Sequence, residues 1–230
     1  MLQLEILYQD EYLVAINKPN ALAVHPSKMH REDRYFALQE LRNQIAQHVY
    51  PCHRLDKKTS GVLLFALNPE VNHLMQEKFA NNQVRKCYHA IVRGKLSGAS
   101  RIDYALKNND GKIQEAISNY LVLKNFEIDL AFGKHSSSRY SLVEIQPETG
   151  RYHQIRKHFA HLRHPIIGDR PHGCNKQNKL WKEHFQHDTM LLHARSLEFS
   201  HPLHENTVRI EAPYSPPFLE ALKIFEESQI

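Results

Sequence analysis

Cysteine is scarce in this chain. There are three in 230 residues, Cys52, Cys87 and Cys174, widely separated and odd in number. That argues against a disulfide framework and fits a reducing cytosol. No apolar run approaches the roughly 20 residues of a membrane-spanning helix. Met1-Leu2-Gln3-Leu4-Glu5 is not a basic segment followed by a long apolar one, so no signal peptide is expected. There is no internal repeat and no low-complexity tract. Ser136-Ser137-Ser138, the nearest approach to one, reads as a loop. The phosphate-cradling pattern G-x-x-x-x-G-K-[ST] is missing, as are G-x-G-x-x-G and G-x-S-x-G. Nothing therefore points to ATP, a dinucleotide or a hydrolase serine.

What is present is an apolar fraction of 41%, ample for a core, and a basic balance. Lys plus Arg number 30 against 25 Asp plus Glu, a net charge of +5, with 17 His in reserve. The lean is toward a polyanionic partner. Short runs at Leu4 to Tyr8 and Tyr12 to Asn17 read as strands around an Asp10-Glu11 turn. Asp33 to Gln47 carries Phe36, Leu38, Leu41 and Ile45 at helical spacing. Val62 to Leu67 is apolar on both faces, as a central strand is. Asn68-Pro69 opens a helix with a cap and a first-turn proline, and Val71, Leu74, Met75 and Phe79 form its buried stripe. Strands are then expected at Tyr88 to Arg93, Arg101 to Leu106, Ala116 to Leu123 and Tyr140 to Ile145. Helices follow at Arg151 to Leu162 and Asn175 to Phe185, strands at Leu191 to Phe199 and Thr207 to Glu211, and a last helix from Ser215-Pro216-Pro217. This order predicts an α+β fold with a mostly antiparallel sheet. No Gly- or Pro-rich linker divides it, so residues 1–230 are expected to form one domain, in two lobes with flanking helices and a central cleft.

The most informative stretch is His53-Arg54-Leu55-Asp56-Lys57-Lys58-Thr59-Ser60-Gly61. It sets one carboxylate, Asp56, among cations that favour its charged form. An ionised Asp in that setting can serve as nucleophile or general base; equally, the stretch reads as a surface turn whose charges cancel. Three further segments accompany it: Lys18-Pro19-Asn20 running to Val24-His25-Pro26, Arg85-Lys86-Cys87-Tyr88-His89-Ala90-Ile91-Val92-Arg93-Gly94, and Glu148-Thr149-Gly150-Arg151-Tyr152-His153-Gln154-Ile155-Arg156-Lys157-His158 continuing to His164-Pro165-Ile166-Ile167-Gly168-Asp169. Taken alone, these read as a turn, a strand and a basic amphipathic helix. His153, His158, His161 and His164 cluster in sequence, but without the spacing of a zinc ligand set. No metal is expected.

Together the four segments resemble the motifs of the RluA-type pseudouridine synthases, in order, over about residues 12 to 175. The one departure in the first motif, Asn20 where Gly is usual, is mild, since Asn tolerates left-handed backbone. The resemblance implies an α+β pseudouridine synthase catalytic domain over 1–230, with no N-terminal S4 domain. It implies isomerisation of uridine to pseudouridine in RNA without a cofactor. Asp56 matches the catalytic residue, Tyr88 the active-site tyrosine and Arg156 the basic partner of Asp56. Arg54 matches the residue that enters the stack beside the flipped-out base, and Ile155 the lining of the base pocket. A stacked, paired uridine must leave its helix to react. His53, Arg151, Lys134 and Arg139 are the further residues expected to face RNA.

Gly133-Lys134-His135-Ser136-Ser137-Ser138-Arg139-Tyr140 and the segment from Phe159 to Asn178 resemble the branch of the family that modifies position 65 of tRNA. The expected partner is tRNA, gripped by Lys134 to Tyr140 and Arg170 to Lys182. A ribosomal RNA or anticodon stem-loop target, and an RNA-binding module with dispensable catalysis, are the competing readings. A cytoplasmic monomer with no membrane contact and no obligate protein partner completes the expectation.

Overall fold

The structure is a computed structural model that describes residues 2–26, 33–108 and 110–228. Its elements run, in chain order, β1 (Glu5–Gln9), β2 (Leu13–Lys18), α1 (Ala37–Ile45), β3 (Tyr50–Pro51), β4 (Ser60–Ala66), α2 (Pro69–Ala80), β5 (Arg85–Arg93), β6 (Ala99–Asp103), β7 (Leu106–Lys107), β8 (Ile113–Gln114), β9 (Ile117–Ile128), β10 (Ser138–Pro147), α3 (Gln154–His161), α4 (Asn175–Phe185), β11 (Leu192–Ser200), β12 (Thr207–Glu211) and α5 (Pro216–Ser228). This is the α+β class expected, and its strand registers are antiparallel. The chain folds into two compact units, Met1–Lys86 with Ala194–Ser215, and Cys87–His193 with Pro216–Ile230.

In the first unit the strand order is β1-β2-β4-β11, with β3 also on β4 and β12 on β11. The Asp10 carboxylate shapes the first turn by accepting the backbone N–H of Tyr12 and of Leu13, each at 2.7 Å. All seven residues of β4 are buried, which is why it reads as a continuous apolar run. The side chain of Asn68 caps α2 by accepting Val71 N–H at 2.8 Å, as the Asn-Pro start predicts. Val71 and Met75 then pack into a core with Leu13, Val62, Leu64, Leu197 and Ile210.

In the second unit β10 pairs with β5 on one side and β9 on the other, and β9 pairs with β6. Helix α3 lays Ile155 and Phe159 on Ala90, Val92, Val143 and Ile145 of this sheet. Trp181 of α4 is fully buried. Its ring N–H donates to Tyr140 Oη at 2.9 Å, and its ring meets Phe185 and Phe225 edge-on or tilted. Trp181 thus holds α4 down onto the unit.

The differences from the sequence reading are at ends. The helix expected from Arg151 begins at Gln154, because His153 sits in the left-handed region at φ +56°. The helix expected over 33–47 is confined to Ala37–Ile45 and stops at Ala46, which is also left-handed. The strand expected over 101–106 is cut into β6 and β7, the latter pairing with β8 in a separate hairpin.

Candidate active site

Asp56 lies in the first unit, on the turn that leads into β4. Its backbone carbonyl accepts Thr59 N–H at 3.0 Å, closing the turn Asp56-Lys57-Lys58-Thr59. The turn is also held from the other side by the first motif. Lys18, at the end of β2 and fully buried, donates its ammonium to the carbonyls of Pro19 and Leu22, both at 2.9 Å, and of Lys57 at 3.1 Å. Asn20 Nδ2 donates to Lys58 O at 2.9 Å. Three carbonyl acceptors match the three N–H donors of an ammonium. Gly61 completes the local design. Its φ is +106°, and a Cβ there would stand 2.1 Å from Ala194 O, so no side chain fits.

Burial pulls the Lys18 ammonium down to about 7, and the nearby Asp56 carboxylate works against that pull. Lys18 is thus the charge partner that the first unit itself supplies to Asp56. Nothing in a Lys-Pro turn reveals that its lysine is buried, so this role of Lys18 is not legible in the sequence. A free lysine titrates near 10.4. Between pH 7 and that value the unfolded chain holds a proton that the folded chain gives up, so stability rises with pH across that window. The charge penalty is full below pH 7. Lys18→Met should remove a slope worth on the order of a few kcal/mol between pH 7 and 10. Urea titrations at several pH values read it; an unchanged slope in the variant would assign the window to other groups.

Arg54, two residues before that turn, is exposed. His53 is not placed to reach outward with its Nε2, which accepts Leu64 N–H at 3.1 Å. Its ring stacks on Phe79 at 4.7 Å. Burial, with the Lys86 charge beside it, pushes the imidazole down to about 4. The structure gives His53 an architectural job, holding β4 to the Asp56 turn as a neutral ring.

Tyr88, Ile155 and Arg156 all belong to the second unit. Tyr88 is half-buried on β5 opposite Ile145, and packs against the same apolar cluster that contains Ile155. Arg156, next on α3, is buried and grips Asp169 with two parallel bonds, Nε to Oδ2 and Nη2 to Oδ1, both 2.8 Å. Asp169 is itself buried and accepts His172 N–H at 3.3 Å. Such a fork fixes the plane of the guanidinium. Helix α3, which taken alone reads as basic and amphipathic, therefore has its central arginine inside the unit. Gly168, at φ +79°, lets the chain pass 2.0 Å (measured to a hypothetical Cβ) from Thr189 O on its way to Asp169.

Gln154 is the second residue that sequence reasoning passed over. Its Oε1 accepts Arg151 N–H at 2.9 Å and Thr149 O–H at 2.7 Å, while its Nε2 donates to Ile117 O at 2.9 Å and Ser118 Oγ at 3.0 Å. It ties the Thr149-Gly150-Arg151 turn to β9 and does the work of an N-cap from inside the helix. Arg151, half-buried, donates Nε to Glu115 O at 2.9 Å. Lys134 and Arg139 are exposed, and Arg139 pairs with Glu127 at 3.1 Å.

The four His of the fourth motif do not converge on one point. His158 bridges Ser118 Oγ and Tyr104 O, His164 meets Arg93 O, His161 stacks on Tyr104 and His153 meets His172. The one group among the described residues with converging metal-type donors is Cys87, His89 and Glu144, within 4.8 Å of one another, where His89 and Glu144 already pair at 3.6 Å.

The sequence profile of RNA pseudouridylate synthases matches residues 12–161. A protein of Vibrio cholerae named tRNA pseudouridine synthase C is 47% identical over 220 residues, covering 91% of this chain and 90% of that one. One of Pasteurella multocida with the same name is 47% identical over 234 residues, covering 97% and 96%. Among solved structures, human RNA Pseudouridylate Synthase Domain Containing 4 superposes with a TM-score of 0.73 at 27% identity, over 96% of this chain and 93% of that one.

Proposed function

Since the chain belongs to the RNA pseudouridylate synthase family, which isomerises uridine to pseudouridine, we propose that its substrate is tRNA and its target the uridine at position 65. The observation that carries the tRNA reading is the near full-length match to proteins named tRNA pseudouridine synthase C. The segments at 133–140 and 159–178 support the position. Residues 1–230 act as one catalytic domain, for the family match spans segments of both compact units. The reading takes the protein as a cytoplasmic monomer, and among the described residues no helix is long and apolar enough to cross a membrane.

In this reading the bond between uracil N1 and ribose C1′ breaks, the base rotates, and a bond forms between C5 and C1′. The C5 proton leaves and N1 ends protonated, so the product is an isomer. Asp56 is the carboxylate that acts on the ribose or on the uracil ring. Tyr88 contacts the base, Arg156 is the basic partner of Asp56, and Ile155 lines the base pocket. Arg54 enters the space left by the extruded nucleotide, and Arg151, Lys134 and Arg139 meet phosphates. What supports the role of Asp56 is the hold on its turn: a buried lysine, an asparagine and a neutral histidine immobilise the loop on which it sits. A fixed carboxylate is what positioned chemistry requires. Position 65 lies in a stem, and A-form RNA is read through shape, phosphates and 2′-hydroxyls.

Purified protein and unmodified tRNA transcripts in EDTA test this, with carbodiimide labelling and primer extension to locate pseudouridine. A stop at position 65 is expected. A stop at another nucleotide keeps the chemistry and overturns the target; no stop on tRNA or ribosomal RNA overturns the function.

A further inference from the structure

The second unit holds a cavity of about 410 Å³ lined by Arg93, Lys95, Phe132, His135, Arg139 and Gln177, among others. The size is that of a small-molecule site. None of the residues assigned above to Asp56 chemistry lines it. Tyr88 precedes Arg93 by five residues on β5, about 17 Å at about 3.3 Å per residue.

Its walls are tied down. The strap between β9 and β10 closes as a two-residue hairpin, with Phe132 N–H donating to His135 O at 2.9 Å and His135 N–H to Phe132 O at 3.1 Å. Ser138 Oγ donates to Leu130 O at 2.6 Å, and Gly94 N–H to Arg139 O at 2.6 Å. On the β5 side Ser141 Oγ donates to Gly94 O at 3.0 Å, and His164 Nδ1 lies 2.8 Å from Arg93 O. Buried Gln177 is anchored through Nε2 to Tyr140 Oη at 2.5 Å. A cavity bounded by bonded backbone is pre-formed, and binding there orders little.

Its chemistry is cationic with one aromatic face. Arg93, Lys95 and Arg139 bring three positive charges, and His135 a fourth when protonated. The acid facing them is Glu127, which pairs with Arg139 and accepts Ser137 O–H at 2.5 Å. A surplus of cations remains. Cations suit phosphate oxygens, an aromatic face suits a base, and a carboxamide can donate to or accept from a base edge. We propose that this pocket takes one phosphorylated nucleotide of the RNA chain, a nucleotide other than the reacting uridine. Its phosphate lies against Arg93, Lys95 and Arg139 and its base against Phe132, with Gln177 at the base edge. This rests on the tRNA reading and deepens it by naming a second anchoring point.

Lys95→Ala and Phe132→Ala test it, with Lys223→Ala, an exposed cation of α5, as the control. The readouts are tRNA affinity against salt and phosphorothioate–iodine footprinting. Lys95→Ala should weaken binding by about three- to tenfold and reduce the salt slope by about one. One phosphate that the wild type protects should lose protection. Phe132→Ala should weaken binding at least about fivefold, as for a lost base stack. The control should stay within about twofold on the same salt scale. Lys95→Ala is at an exposed position, so its folding is not in question. Unchanged affinity, slope and protection in both variants would overturn the proposal. So would inorganic phosphate raising the thermal midpoint of the wild type, but not of Lys95→Ala, with RNA binding untouched; the pocket would then be a free-phosphate site. A wild type that neither binds nor modifies tRNA fails differently, removing the function and the pocket assignment together.

Discussion

Asp56→Ala protein is expected to bind tRNA within a few-fold of wild type and to form no pseudouridine. The loss should be at least about 10³-fold, the range for removing a positioned acid–base or nucleophilic group. Affinity should survive because phosphate contacts supply most RNA binding energy, and one carboxylate contributes none of it. Folding should survive because the turn is held by the backbone carbonyls of Lys57 and Lys58 and by Leu64 N–H, none of which needs the Asp56 side chain. Single-turnover assays beside binding titrations separate the terms. Asp56→Asn keeps the shape and removes the charge, and should be as inactive. Activity above about one-tenth of wild type in either variant would remove Asp56 from the chemistry.

Arg156→Ala should unfold more easily by about 3–5 kcal/mol, the range for stripping one partner from a buried ion pair. The pair is well inside the second unit, with side-chain exposures of 6% for Arg156 and 1% for Asp169. The variant leaves the Asp169 carboxylate buried without its fork. Loss of activity in Arg156→Ala alone would therefore mix stability with chemistry. The double variant Arg156→Met with Asp169→Asn separates them. Removing both charges should restore at least half of the lost stability, because neither partner is left ionised. Activity should stay lost if the guanidinium serves Asp56. A stable, fully active double variant would make the pair purely structural; denaturant titration and turnover on the same samples decide.

Much of this was legible in order along the chain. Alternation and apolar runs marked β4, β5 and β10, and the Asn68-Pro69 start marked α2 to the residue, since periodicity and capping are local. Element ends were less so. His153 and Ala46 adopt left-handed backbone without being glycine, and no local pattern announces that. The chemistry-bearing motifs were legible as types and spacing, and the family match over residues 12–161 spans all but the end of the fourth. The roles beneath them were not. Lys18 and Gln154 look like ordinary polar residues of a turn and a helix. Only the fold buries them and turns one toward three carbonyls and the other toward four backbone and hydroxyl partners. His53, grouped in sequence with the residues expected to face RNA, stacks on Phe79 instead. Arg156 needed Asp169, thirteen residues on, to become a fixed fork. The sequence by itself determined the fold class, the family and the order of the motifs, because those follow from local pattern. The tertiary structure alone decided which polar side chains are buried and what each one holds, because burial and hydrogen-bond geometry are set by residues far apart in the chain.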